Sequence, residues 1–264
     1  MSSSFYVIQG TSEDGRERFA SQPPTASPWG PDSQHGSPPT ALLTRSVERL
    51  AVERQRVVGR VTAELLGPVP VGPLSVAARV TRPGRNVDLV EASLHDEASG
   101  REVARATAWC LPAGVAGPRP GSAPLPHGPE DGVEQAAPEV WSPGYVQAME
   151  WRWIKGSITD PGPAVVWMRP TVTLVDGEQP TPLHQLMACV DSASGVSSEL
   201  DPRSWGFQNP ELTVHLLREP VGAWFCVDAE TTLGSGSAGL ATSSVYDEQG
   251  LVARTAQTLL TLPR

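Results

Sequence analysis

The chain has 264 residues, 27 of them Pro and 25 Gly, and 29 Asp and Glu against 20 Lys and Arg give a formal charge of −9. That length can bury the cores of two ordinary domains, and the acidity, with no basic stripe interleaved with aromatics, argues against a surface that neutralises nucleic-acid phosphates. The first residues, Met1 to Ile8, lack a basic n-region and a sustained apolar run, and no stretch reaches the roughly 18 apolar residues of a membrane span, so a cytoplasmic protein with neither membrane nor nucleic-acid partners is expected.

A first helix is expected from Pro38-Pro39, because proline is tolerated in the first helical turn and Leu42, Leu43, Val47 and Leu50 recur at helical spacing. Strands are expected over 57–66, 74–81, 87–95 and 103–111, where residues alternate or are β-branched and short turns such as Arg82-Pro83-Gly84 and Ser99-Gly100 intervene. Residues 111–139 are rich in Pro, Gly and Ala and read as a linker, partly disordered. A second helix is expected from Pro182 with Thr181 as N-cap, a stripe of Leu183, Leu186, Met187 and Val190, and Gly195 as its stop. Asp191 then falls on the margin of that stripe, half-buried. Four more strands are expected over 212–217, 224–233, 240–246 and 251–262.

The chain repeats itself. Val71-Gly72, Asp96-Glu97 and Val103-Ala104-Arg105 reappear in order as Val221-Gly222, Asp247-Glu248 and Val252-Ala253-Arg254, and Val61 to Leu66 matches Leu212 to Leu217. The shift, about 150 residues, is too long for a solenoid and indicates a doubled domain. One helix followed by a β-meander, twice, is α+β, with each antiparallel sheet curled around its helix. The expected division is 1–112, a linker at 113–142, and 143–264. Where the halves differ, Ala108 in the first faces Gln257 in the second.

Cys110, Cys189 and Cys226 are odd in number and widely spaced with no CxxC, so neither a zinc site nor a disulfide framework is signalled and reduced thiols are expected. The histidines lack metal-ligand spacing. The chain has no GxSxG elbow, glycine-rich phosphate loop or dinucleotide fingerprint. No metal and no cofactor is expected.

Five segments in order resemble one family. They are Trp29 with Gln34-His35-Gly36-Ser37-Pro38-Pro39-Thr40-Ala41-Leu42-Leu43; Glu150-Trp151-Arg152 with Val166-Trp167-Met168-Arg169; Asp191 to Gly195; Asn209 to Pro220; and Asp247 to Gln257. Together they resemble the double hotdog proteins of the acyl-CoA thioesterase II type, in an actinobacterial-looking branch. The resemblance implies two tandem units, each a long central helix wrapped by a curled antiparallel sheet. It also implies hydrolysis of an acyl-CoA or acyl-carrier thioester in fatty acid metabolism, and a homodimer or higher homo-oligomer. In that family an Asp, a Thr or Ser, and a Gln hold the attacking water. The first carries over to Asp191 and the last to Gln257. The middle position lies between Asn209 and Thr213, with Thr213 favoured. Ser37 stands where the family usually has a second glycine.

The residues themselves carry part of this reading. A carboxylate such as Asp191 can take a proton from water as it attacks, and its place near a helix C-terminus is electrostatically unfavourable, which points to function. The amide of Gln257 both donates and accepts, although the alternation of its strand does not settle which face is inward. Thr213 is an ordinary strand residue, and Asn209, before Pro210, an ordinary turn residue. His35 and Gly36, at a helix N-terminus, either bind substrate through exposed N–H groups or simply pack, with His35 under Trp29; the second reading is preferred for this half, and His35, Gly36 and Asn209 are the candidate substrate-binding residues. Glu48 is the nearest counterpart of Asp191 there and reads as solvated, and His184 reads as a surface or partner-facing residue. The oxyanion is expected at the start of the second helix, residues 182–185. Two alternatives stand beside hydrolysis: an acyl-thioester hydratase or dehydratase, and a non-catalytic acyl-CoA-binding protein.

Overall fold

The computed structural model describes residues 3–115, 117, 124–125, 127–138 and 143–264. The first half runs β1 (Ser4–Thr11), β2 (Glu17–Ser21), a small hairpin of β3 (Ala26–Ser27) and β4 (Gly30–Gln34), α1 (Ser37–Glu53), β5 (Arg56–Leu65), β6 (Pro73–Arg82), β7 (Asp88–Asp96) and β8 (Glu102–Pro112). The second half runs β9 (Met149–Lys155), β10 (Ala164–Pro170), β11 (Thr173–Val175), α2 (Pro182–Val190), α3 (Ala193–Val196), β12 (Trp205–Gln208), β13 (Glu211–Leu216), β14 (Phe225–Leu233), β15 (Ala238–Asp247) and β16 (Gly250–Pro263). All eight expected strands form. Missing from the periodicity were β1 to β4 ahead of α1 and β9 to β12 in the second half.

One sheet of fourteen strands holds both halves, in the order β11-β1-β2-β6-β7-β8-β5-β13-β16-β15-β14-β10-β9, with β12 added beside β16. The halves join at β5 and β13, where Leu212 pairs with Ala63, Thr213 with Thr62 and Val214 with Val61. Thr62 and Thr213 are also matched residues of the repeat. An antiparallel pair in which a residue faces its own copy marks a local two-fold axis, so the duplication read in the sequence is a rotation in space. Only Thr171 and Val172 separate β10 from β11, and β11 pairs with β1. The far ends of the sheet are thus brought together around the helices.

α1 lies against β5 to β8 and against α2. Leu42, Leu43, Val47 and Ala51 are its buried stripe. The buried Arg45 among them is satisfied by Glu178 (2.6 and 2.7 Å) and Glu17 (2.9 Å), as a buried guanidinium requires.

The second half lacks the single long helix expected of each unit. α2 has nine residues against seventeen in α1. It stops because Asp191 and Ser192 both turn their N–H groups onto the Cys189 carbonyl, and the chain resumes as the single turn of α3. The run Asp191-Ser-Ala-Ser-Gly195 favours this, since Ser and Asp compete with helical hydrogen bonds and Gly is a weak helix former. Gly195 therefore lies inside α3 and does not stop a longer helix. The expected N-cap does form: the Thr181 hydroxyl accepts from the His184 N–H (3.2 Å).

His184 is not on the surface. It is buried with its Nε2 2.8 Å from Glu48 Oε2, the oxygen that also accepts from the Thr181 hydroxyl (3.0 Å). The contact of α1 with α2 covers this face, so Glu48 is engaged by the second half and is not simply solvated.

Of the 113–142 stretch, residues 116, 118–123, 126 and 139–142 lie outside the described residues. Residues 127–138 run beside β9, where Val133 and Trp153 exchange two backbone hydrogen bonds of 2.9 Å. That segment covers an exposed strand edge.

Candidate active site

The break between α2 and α3 presents Asp191. Its carboxylate is buried, and Oδ1 accepts two amide donors, Asn209 Nδ2 at 2.6 Å and Gln257 Nε2 at 3.0 Å. Gln257 also donates to the Asp191 carbonyl (3.1 Å) and accepts from the Ser194 N–H (3.1 Å). Its amide therefore spans the break and fixes the backbone on both sides. The inward face of β16 is Ala253, Thr255, Gln257, Leu259 and Thr261, which resolves the ambiguous alternation of that strand. Gln257 is wholly buried behind the carboxylate and is not among the residues of the cavity wall.

Asn209 sits in the turn between β12 and β13. The next residue, Pro210, accepts from the Leu65 N–H (2.8 Å), which ties this turn to the first half. Thr213 is elsewhere. Leu212 and Val214 point into the core, so alternation turns Thr213 outward. Its hydroxyl lies 3.1 Å from that of Thr62 and donates to Glu211. Of the two candidates for the middle position, the structure brings Asn209 to Asp191 and leaves Thr213 on the join between the halves.

The first half supplies the other wall. Gly36, just before α1, approaches Asp191 so closely that a Cβ on it would lie 2.9 Å from the carboxyl carbon and nearer still to Oδ2. Its backbone is ordinary right-handed helix (φ −65°, ψ −23°), so this glycine is required by space and not by conformation. His35 Nδ1 lies 3.5 Å from Asp191 Oδ2 but accepts the Ser37 N–H (3.1 Å), which puts the proton of the neutral ring on Nε2. Burial pushes the His35 pKa down, and the Asp191 charge only partly opposes this. His35 packs not under Trp29 but on Tyr145, with ring centroids 3.9 Å apart and planes at 7°. Trp29 meets Phe207 edge-on. Among the described residues no hydrogen bond reaches Asp191 Oδ2, and the Gly36 N–H has no protein acceptor.

These groups line one cavity of about 890 Å³. His35, Gly36, Asp191 and Asn209 are part of its polar lining, and Trp29, Val146, Trp151, Ile158, Val196 and Leu260 are among its apolar residues. The start of α2 is not there. The His184 and Gln185 N–H groups are taken by Thr181, and Asp191 lies at the opposite end of the helix, about 13 Å away along nine residues. The start of α1 lies beside Asp191, which also sits just ahead of the single turn of α3. Among the described residues no group of three or more His, Cys, Asp or Glu is placed to hold a metal ion.

The model of the acyl-CoA thioesterase C-terminal domain matches residues 129–261, and that of the N-terminal domain matches residues 25–111. The chain belongs to the acyl-CoA thioesterase family. As a member it is a thioester hydrolase. Solved structures show the fold. A protein assigned as a thioesterase II from Thermobifida fusca superposes with a TM-score of 0.74 at 18% identity, covering 98% of this chain and 96% of that one. A conserved hot dog-fold protein from Alicyclobacillus acidocaldarius gives 0.73 at 20% identity over 95% of both chains. An acyl-CoA thioesterase II from Mycobacterium marinum gives 0.61 at 14%, covering 86% and 90%. No curated protein matches the chain.

Sequence reasoning missed Tyr145, whose hydroxyl bonds to Ala188 O, Ser192 and Ser37. No periodicity marks it, because it sits in a single 3-10 turn, Tyr145–Ala148, directly after the linker.

Proposed function

We propose that this thioesterase cleaves acyl-CoA with Asp191 as general base. The observation that carries the reading is the asymmetry of the carboxylate: Oδ1 is held by two amides, while among the described residues no hydrogen bond reaches Oδ2, and Asp191 lines the cavity. Oδ2 takes a proton from water as the water attacks the thioester carbonyl. Asn209 and Gln257 aim the carboxylate and do not touch the water. The developing oxyanion is received at the start of α1, where among the described residues the Gly36 N–H has no acceptor and the helix dipole favours negative charge. The acyl chain lies along the apolar walls around Trp151 and Ile158.

Addition or removal of water across a double bond would need two groups exchanging protons with substrate. His35 Nδ1 is already occupied by the Ser37 N–H, which favours hydrolysis. The test is product stoichiometry across a series of acyl-CoA chain lengths. Free thiol and free acid should appear one to one with the wild type and nearly vanish with Asp191→Asn. Binding without thiol release by the wild type would overturn the reading.

A further inference from the structure

Tyr145 joins parts of the site that come from opposite ends of the chain. The Ser192 N–H, which would close the last turn of α2 onto the Ala188 carbonyl, goes to Cys189 O instead (3.1 Å). The Ala188 carbonyl is left open at the helix end, and the Tyr145 hydroxyl donates to it at 2.7 Å. The same hydroxyl is 2.8 Å from Ser192 Oγ and accepts from Ser37 Oγ at 3.2 Å. With its one proton on Ala188, the phenol oxygen takes both serines as donors. Ala188 and Ser192 bracket Asp191, and Ser37 follows His35 and Gly36. One buried oxygen therefore links the residues on either side of the carboxylate with the start of α1.

The ring does a second job. Its face covers His35, and its edge meets Trp151 at 6.3 Å, T-shaped. The turn that carries Tyr145 is itself docked on the first half: a Cβ on Gly144 would lie 2.9 Å from the Ala26 side chain. Burial raises the phenol pKa well above its usual value, so the hydroxyl remains a donor throughout the working pH range.

We propose that Tyr145 is a positioning residue for thioester hydrolysis: its hydroxyl fixes the broken end of α2 against the start of α1 so that Asp191 Oδ2 stays open beside His35 and Gly36. This rests on the assignment of Asp191 as the base. Displacing a base by a fraction of an ångström costs rate and not substrate affinity.

The test is Tyr145→Phe, which keeps both ring contacts and removes the hydroxyl. Thiol release from acyl-CoA, expressed per folded molecule by circular dichroism below the melting transition, should show kcat about 10- to 100-fold lower with KM within about twofold of wild type. Wild-type kcat per folded molecule, with or without a lower Tm, would overturn the proposal by reducing Tyr145 to a packing residue. If Tyr145→Phe does not fold, Ser192→Ala carries the test, because it removes one of the three bonds to the phenol oxygen. It should lower kcat about 3- to 10-fold at unchanged KM, and an unchanged kcat would overturn the proposal. Asp191→Asn, assayed alongside, separates the two ideas. A slow Asp191→Asn with a fast Tyr145→Phe removes the role of Tyr145 alone, whereas a fast Asp191→Asn removes the base and the positioning with it.

Discussion

Gly36 and Asp191 meet across the two halves of the chain, with no room between them for a methyl group. One precedes the helix of the first half and the other ends the helix of the second. The site is therefore shared by both repeats. Gly36→Ala should push the carboxylate off its two amide donors. We expect kcat/KM to fall about 100-fold, with stability lowered by about 1–3 kcal/mol from the crowding. Steady-state kinetics beside a denaturant melt would check both, and wild-type kinetics would mean that Asp191 can move freely.

Asn209 and Thr213 make opposite predictions. Asn209→Ala leaves Asp191 Oδ1 with one amide donor, and kcat should fall about 10- to 100-fold. Thr213→Ala removes a hydroxyl on the outward face of the join, bonded to Thr62 and Glu211. It should leave kcat within about twofold and cost no more than about 1 kcal/mol. The reverse pattern would restore Thr213 to the site.

Gln257→Ala places in the second half the residue type found at Ala108 in the first. It orphans the buried Ser194 N–H and one side of the Asp191 carboxylate. Each unmet buried partner costs about 1–3 kcal/mol, so loss of stability should accompany loss of activity here, unlike at Thr213. Thermal melts would separate the cases, and an unchanged Tm would contradict the spanning role of the amide.

Asp88 gives a pH prediction away from the site. A hydrogen bond from Arg54 (2.8 Å), then one from the Gly84 N–H (2.7 Å) and the nearby guanidinium charges, hold its carboxyl well below the usual carboxylate range, against the opposing effect of burial. A depressed native pKa contributes stability that is complete above the unfolded value of about 3.9 and is lost as pH falls through the native value. Asp88→Asn should therefore lower Tm at pH 7. Its deficit should stay constant down to about pH 5 and shrink below about pH 4 as the wild-type carboxyl protonates. A deficit that persists at the lowest pH would assign the effect to packing.

Much of the fold was legible because β-meanders announce themselves in alternation and turn residues, and because duplication doubled the signal. The break in the second helix was not, since Leu183 to Val190 reads as helix and nothing in a stripe says that Ser192 will bond to Cys189. Asp191 and Gln257 were singled out by the resemblance to the family, and the contrast of Gln257 with Ala108 in the other repeat pointed the same way. Thr213 looked plausible because only pairing with Thr62 shows which way it points, and register with another repeat is a long-range fact. His35 was set aside with its half, because the partner it serves lies more than half the chain away.

The central claim is that Asp191 activates water. Its most direct test is a single-turnover experiment with enzyme in excess over acyl-CoA, comparing wild type with Asp191→Asn, which keeps the shape and removes the base. We predict cleavage slower by about 10²- to 10⁴-fold with acyl-CoA still bound. Cleavage at the wild-type rate would contradict the account.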